Sequence, residues 1–174
     1  NPDIQGVFSM WYGKGPGLDR AMDALRHANQ GGVAPHGGMV IAVGDDPTGK
    51  SSTLAYQSDQ NFHSLGIPYF FPKNVSDIIS MGLEAFALSR YSGCCVGLKI
   101  VVDVADSNAV VDMSKLRPSL PILKSNNLVH VTKHDPAGLR ESKLHEVRLP
   151  AVQTAGNLTS VSYTHLRAHE TVKN

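Results

Sequence analysis

Three short apolar segments, separated by stretches long enough for helices, constrain the fold of this chain more than any other feature. They are GMVIAVG (38–44), GIPYFF (66–71) and CCVGLKIVV (94–102). Strands that alternate with helices predict a parallel sheet with helical crossovers. We therefore predict an α/β fold in which helices over 52–65 and 75–91 pack on this sheet. The residues expected to be buried there are Leu54, Ile79, Leu83 and Phe86.

Capping residues and glycines predict where the helices begin. We expect Asp19 to start a helix that ends near Asn29, after the glycine-rich loop 13–17. Ser51 or Ser52 is the expected cap of the second helix, and Asn74 or Ser76 that of the third. Beyond residue 102 the periodicity decays, which predicts an irregular segment followed by one helix within 139–158. Its expected apolar face consists of Leu144, Val147 and Val152.

Composition argues against several classes of function. Sixteen basic and fifteen acidic residues nearly cancel, so bulk charge supports neither nucleic acid nor membrane binding. No apolar stretch approaches the roughly 20 residues of a membrane span. The start NPDIQGVF lacks the basic residues and apolar run of a signal peptide. It also lacks an initiator Met, so we expect a chain that begins within a longer protein or has been processed. Cys94 and Cys95 are interpreted as buried strand residues, which fits a cytoplasmic location.

The segment GDDPTGKS (44–51) matches the P-loop pattern G-x-x-x-x-G-K-[ST] and follows an apolar strand. A phosphate cradle needs converging backbone N–H groups and a lysine. Here Asp45 and Asp46 would repel phosphate, and Pro47 removes one donor. Asp103 is the one aspartate placed to close a strand as a metal ligand. A P-loop nucleotide-binding domain therefore stays an alternative, but the charges in the loop argue against it.

Ligands of parallel α/β sheets bind at the carboxyl ends of the strands, where two polar loops are expected. Basic residues there suit a carboxylate ligand, and serines suit polar positioning of a cofactor. Arg26 and His27 are further candidates, although His27 and His36 fit structural hydrogen bonding better. The predicted site residues of the two loops are Lys14, Gly15, Gly17, Arg20, Asp45, Asp46, Lys50, Ser51 and Ser52. No metal ligands are predicted.

Several motifs occur in a fixed order along the chain. They are WYGKGPGLDR (11–20), RHAN (26–29), HGGMVIAVGDD (36–46), KSSTLAYQSD (50–59), ALSRYSG (87–93) and VGLKIVVDV (96–104). Together they resemble the N-terminal, pyrimidine-side thiamine-diphosphate domain of indolepyruvate ferredoxin oxidoreductases, a 2-oxoacid:ferredoxin oxidoreductase family, in its long fused form. The resemblance continues more loosely through LRESKLHEVRLPAV (139–152). In this family an aspartate pair after the strand is usual.

The resemblance implies an enzyme that oxidatively decarboxylates an aryl or branched 2-oxoacid, such as indolepyruvate, to an acyl-CoA. Its implied cofactors are thiamine diphosphate with Mg²⁺ and [4Fe–4S] clusters, and its partners are ferredoxin, coenzyme A and the other domains of the same chain. The family's activating glutamate lies upstream of Val7, so no catalytic residue is assigned here. We expect the intact protein to be a homo-oligomer and this fragment alone to be inactive.

The resemblance also divides the chain. Residues 1–112 correspond to a partial thiamine-diphosphate domain, and 113–160 to a linker and a helix towards the next domain. The stretch 161–174 resembles a translated sequencing adapter, so we expect it to pack against nothing; a metal pair formed by His165 and His169 is disfavoured for the same reason. A non-catalytic thiamine-fold module that serves as an assembly surface is a third alternative for the chain.

Overall fold

The chain was analysed as a computed structural model, which describes residues 6–51, 54–116, 127–132 and 134–158. Four strands form one sheet: β1 (Phe8–Tyr12), β2 (Met39–Asp45), β3 (Tyr69–Phe70) and β4 (Val96–Val101). All neighbouring strands are parallel, and their spatial order is β1-β2-β4-β3. The predicted parallel sheet of three segments is confirmed, and β1 is added at its edge.

Helices cover both faces of the sheet. They are α1 (Gly15–Gly31), α2 (Asp59–Ser64), α3 (Val75–Ser92), the short α4 (Val102–Ala105), α5 (Ala137–Lys143) and α6 (Leu149–Leu158). A π-helical turn, Leu144–Arg148, joins α5 to α6, so 137–158 is one continuous helical run. Short 3₁₀ turns lie at Met113–Lys115 and Asn127–Val129. The helix predicted within 139–158 is therefore confirmed, whereas the predicted irregular segment begins with the short α4 and is described only in part.

Two apolar clusters hold these layers together. On one face, Val40 and Leu98 of the sheet pack with Leu88 of α3 and Val152 of α6. On the other face, α1 and α2 cover the sheet through residues such as Phe62. Because α6 belongs to the first cluster, the helix that was expected to lead towards another domain packs on the same core. The expected boundary at residue 112 stays a prediction.

The start of α1 differs from the expectation. The helix begins at Gly15, with Lys14 as its N-cap residue and Pro16 in its first turn. Proline fits this position because the first N–H groups of a helix have no partner within the helix. Asp19 therefore lies inside the helix, where its carboxylate accepts hydrogen bonds from Tyr56 and Asn61. The prediction that Asp19 caps the helix was wrong.

The predicted helix over 52–65 was wrong over its first half. The described part of 46–58 is a loop, and α2 begins only at Asp59. The side chains of the preceding aspartates compete with the helix, since they accept the backbone N–H groups of Lys50, Ser51 and Ser58. Leu54, expected in the core, is 76% exposed. Ser51 does not cap a helix, and Ser52 lies outside the described residues.

Helix α3 agrees with the prediction in its bounds but less well in its buried face. Asn74 caps it by accepting the N–H of Asp77, and Gly93 ends it in the left-handed conformation at φ 76°. Leu83 is exposed, which contradicts the prediction, and Ile79 is half-buried. Apolar residues lie all around this helix, so its periodicity alone could not select the face that packs on the sheet.

Candidate functional site at the carboxyl edge of the sheet

The two predicted loops meet at the carboxyl edge of the sheet. Lys14, at the start of α1, places its Nζ 3.0 Å from Asp46 Oδ2 and 2.7 Å from Ser51 Oγ. Gly15 lies under the ring of Tyr56, so close that an added Cβ would be 2.1 Å from the ring atoms. These contacts join the loop after β1 to the loop after β2, as expected for two loops at the same edge.

The carboxylate of Asp46 takes hydrogen-bond donors that a P-loop would offer to phosphate. It accepts hydrogen bonds from the backbone N–H groups of Lys50 and Ser51, each at 2.9 Å, and from Lys14 Nζ. The hydrogen bond from Ser51, together with those from Lys50 and Lys14, holds the pKa of Asp46 well below its usual range. The donors of the nest are thus used by an internal carboxylate. We call Asp46 together with Lys14, Lys50 and Ser51 the Asp46 nest.

Lys50, the lysine of the P-loop pattern, is bonded elsewhere. Its Nζ lies 2.7 Å from Oδ1 of Asp103, which belongs to α4. The hydrogen bond and charge of Asp103 raise the pKa of Lys50. In a nucleotide cradle this ammonium would be directed at the phosphates. In this chain the Lys50 ammonium binds Asp103 and so connects the loop to the segment that follows β4.

Asp45 and Asp46 are adjacent but lie in opposite environments. Asp45 is 1% exposed; its Oδ2 accepts from the N–H of Ser58 at 2.8 Å and from the Ser58 hydroxyl at 3.1 Å. Burial raises the pKa of Asp45, although the hydrogen bonds from Ser58 and the charge of Lys99 oppose this shift. Its Oδ1 is buried and makes no hydrogen bond to the described residues. Asp46 is therefore stabilised as an anion, whereas the pKa of the buried Asp45 is raised even though Ser58 and Lys99 contact it.

A buried lysine, Lys99 of β4, lies beside Asp45 and was not predicted. Its Nζ lies 3.5 Å from Asp45 Oδ2, 2.5 Å from Asp59 Oδ2 and 4.7 Å from the centre of the Phe71 ring. Burial alone would raise the pKa of Asp59, but hydrogen bonds from Lys99 and Tyr69 lower it. A lone lysine within the apolar run VGLKIVV was the sequence signal for this cluster, because a buried ammonium requires acidic partners.

The remaining predicted residues lie farther from the Asp46 nest. Arg20 is exposed and donates from Nη1 to the carbonyl oxygen of Pro16 at 3.0 Å. A Cβ added to Gly17 would lie 3.5 Å from the Tyr12 ring. His27 is exposed, with its Nε2 3.7 Å from Asp23 Oδ1, one helical turn away. The structure thus joins Lys14, Gly15, Asp46 and Ser51 closely, whereas His27 is not part of this cluster.

Arg26 lies towards the other end of α1, where its Nη1 donates to the carbonyl oxygen of Ser64 at 3.1 Å. It borders an open cleft of about 180 Å³ between α1, α2 and the helical run 137–158. Its other lining residues are Gln30, His63, Ser64, Leu65, Gly66, Glu141, Leu144 and His145. The C-terminal ends of α1 and α2 point here, so Arg26 is placed to neutralise carbonyl groups.

Within the part of the chain that the structure describes, no group of three or more His, Cys, Asp or Glu residues is arranged to hold a metal ion. None of the described helices is long and apolar enough to cross a bilayer. No protein-family model matches the chain, and the search of the curated proteins found no match.

Proposed function

We propose that this chain is the pyrimidine-side part of a thiamine-diphosphate domain in a larger 2-oxoacid:ferredoxin oxidoreductase. The intact enzyme would oxidise an aryl or branched 2-oxoacid to an acyl-CoA and pass the electrons to ferredoxin. The proposal rests on the ordered motifs between residues 11 and 104. It is supported by a parallel α/β sheet whose carboxyl edge gathers two of these motifs, 11–20 and 36–46, at one site.

The contacts of the Asp46 carboxylate are the structural observation that favours this proposal over a P-loop. The carboxylate takes the N–H donors of Lys50 and Ser51, which a nucleoside triphosphate would need. A second anion would meet this negative charge at short range, so the loop favours neutral or cationic groups. The aminopyrimidine ring of thiamine is neutral and its thiazolium is cationic, so both fit this charge pattern. The cofactor supplies the electron-sink chemistry of the reaction when it is bound.

The chain's own residues then receive defined roles. Lys14 holds the two loops together through Asp46 and Ser51, and Lys50 anchors the loop to Asp103. Arg20, exposed near the start of α1, is the cation that we assign to the carboxylate of the 2-oxoacid. In this proposal the diphosphate, Mg²⁺, the iron–sulfur clusters and the activating glutamate belong to other parts of the intact enzyme.

The direct test uses the intact parent enzyme. Asp46→Ala and Lys50→Ala should each lower 2-oxoacid-dependent reduction of ferredoxin in the presence of coenzyme A by about tenfold or more, because both hold the loop in position. Circular dichroism should stay unchanged. Lys73→Ala, at an exposed residue before α3, is the matched control and should retain activity. Absence of this activity in the unsubstituted parent enzyme would reject the oxidoreductase and favour a non-catalytic module.

A second measurement separates the proposal from the P-loop alternative. Calorimetry of the 174-residue chain with Mg²⁺–ATP should give no heat above dilution, since Asp46 occupies the nest. Lys50→Ala should not change that result. Micromolar binding of ATP that Lys50→Ala abolishes would instead establish a nucleotide site and contradict the proposal.

A further inference from the structure

One buried ammonium group connects the two residues that flank the loop 46–58. Asp45 is the last residue of β2, and Asp59 is the first residue of α2. Lys99 Nζ lies 3.5 Å from Asp45 Oδ2 and 2.5 Å from Asp59 Oδ2. Lys99 itself comes from the middle of β4, so its backbone is fixed by the sheet. Both ends of the loop are therefore attached to one point of the core.

The surroundings of Lys99 keep these three charges together. Its side chain is 8% exposed, and a buried ammonium is costly unless acidic groups and hydrogen bonds compensate it. The ring of Phe71 faces the same ammonium, while the hydroxyl of Tyr69 donates to Asp59 Oδ1 at 2.6 Å. Lys99 and Asp45 are both buried, so neither of these two charges can leave the other without exposing it unpaired to the interior, whereas the side chain of Asp59 is 32% exposed. We call Lys99, Asp45 and Asp59 the Lys99 cluster.

The Lys99 cluster is directly continuous with the Asp46 nest. Asp46 follows Asp45 in the chain, and its backbone carbonyl accepts the N–H of Tyr56 at 2.9 Å. Near the far end of the loop, the N–H of Ser58 donates to Asp45 Oδ2. The position of the Asp45 carboxylate beside Lys99 therefore sets the distance between the two ends of the loop. This distance in turn affects the geometry of the Asp46 nest. A loop whose ends are held together has fewer open conformations.

We propose that Lys99 is a positioning residue, which holds the loop 46–58 closed by binding Asp45 and Asp59 and thereby keeps the Asp46 nest formed. Lys99 acts through these two carboxylates. The use of the loop in binding a cofactor or a 2-oxoacid rests on the proposed function. The link between Lys99 and the loop does not rest on it, because it follows from the contacts alone.

Amide hydrogen exchange of the full chain tests this link. In Lys99→Met, which keeps the length of the side chain without its charge, the amides of Lys50, Ser51 and Ser58 should exchange about tenfold faster or more. Those of β2 and β4 should change by less than about threefold. The matched control is Lys73→Met, which removes an exposed ammonium and should leave all these rates unchanged.

A second variant keeps the test decisive if Lys99→Met does not fold. Asp59→Asn preserves the side-chain shape but removes one carboxylate from the Lys99 cluster, and it should also speed exchange of the Lys50, Ser51 and Ser58 amides. If Lys99 acts through Asp59, the two substitutions are not additive. Adding Asp59→Asn to Lys99→Met should then change loop exchange by less than about twofold. A residue that only fills space in the core would not give this coupling.

Two results would overturn the proposal. One is unchanged exchange of the Lys50, Ser51 and Ser58 amides in Asp59→Asn or in a folded Lys99→Met variant. The other is an equal rise at loop and strand amides, which would mean that Lys99 stabilises the sheet generally. Both results are amide exchange rates, which do not depend on enzymatic activity. A parent protein without 2-oxoacid oxidation would reject the proposed function and leave the positioning role of Lys99 standing.

Discussion

The carboxylate oxygen Oδ2 of Asp46 accepts a hydrogen bond from the backbone N–H of Ser51 at 2.9 Å. This bond closes the loop that follows β2 on itself. Asp46, the first residue of the loop, thereby takes a backbone N–H donor of the kind that a P-loop offers to phosphate. The consequences for titration and for anion binding can be measured separately.

The pKa values of the two adjacent aspartates should be shifted in opposite directions from the ordinary value near 3.9. Burial raises the pKa of Asp45, while the hydrogen bond from Ser51 and its neighbours lowers that of Asp46. The lowered pKa means that Asp46 stabilises the fold above about pH 4 and that this contribution is lost as the pH falls through its folded value. The raised pKa of Asp45 has the opposite sign, so its ionisation costs stability as the pH rises.

The measurement is a carbon-detected NMR titration of the two carboxyl groups. The midpoint of Asp45 should lie above the ordinary value and that of Asp46 below it. Midpoints in the reverse order, or two equal midpoints, would show that the Asp46 nest does not form in solution.

Removing the internal carboxylate should create an anion site. In Asp46→Ala the N–H groups of Lys50 and Ser51 and the ammonium of Lys14 lose their acceptor. Inorganic phosphate at millimolar concentration should then shift the amide NMR signals of Lys50 and Ser51, with no such shift in the unsubstituted chain. Adding Lys14→Met should weaken the effect. Phosphate shifts of equal size in the unsubstituted chain would contradict this account of the loop.

Arg148 should be one of the most sensitive positions in the core. Its guanidinium is fully buried and donates to the carbonyl oxygens of Asn29 at 2.6 Å, Gln30 at 3.0 Å and Arg140 at 3.2 Å. It thereby caps the end of α1 and fixes the run 137–158 to it. Arg148→Met should lower the free energy of unfolding by roughly 3 kcal/mol or more, because buried carbonyl groups lose charged donors.

Urea denaturation gives this value, and Arg20→Met serves as the control. Arg20 is exposed and donates to a carbonyl within its own helix, so its loss should cost no more than about 0.5 kcal/mol. Equal effects of the two substitutions would show that the buried guanidinium does not hold the helices together.

Two glycine-to-alanine substitutions should have opposite effects on stability. A Cβ on Gly44 would lie 2.6 Å from the carbonyl oxygen of Gly13, a backbone atom that cannot move freely. Gly44→Ala should therefore destabilise the fold by about 1–3 kcal/mol. A Cβ on Gly82, in the middle of α3, would meet nothing within 4 Å. Gly82→Ala should stabilise it by about 0.5–1 kcal/mol, since alanine favours the helix. Urea denaturation measures both, and the same sign for both would contradict the packing at Gly44.

The sequence alone determined the elements whose signals are local. The apolar runs 38–44 and 94–102 predicted strands that the structure places side by side as β2 and β4, because such runs bury both faces of a parallel strand. Asn74 and Gly93 set the ends of α3 through capping rules that involve only nearby residues. The adjacent aspartates likewise predicted a loop unsuited to phosphate, and Asp46 takes the N–H donors of Lys50 and Ser51.

Only the tertiary structure decided the features that depend on distant partners. The described part of 46–58 is a loop where a helix was predicted to begin, because Asp45 and Asp46 capture the N–H groups of Ser58 and Ser51 while Lys99, far along the chain, contacts Asp45. Helix α3 is apolar on several sides, so contact with the sheet chose which residues it buries. Arg148 showed no local signal, since its role as a cap depends on Asn29 and Gln30, which are far from it in sequence. Local propensity fixes where elements form, but burial and pairing across the chain determine how polar groups are satisfied.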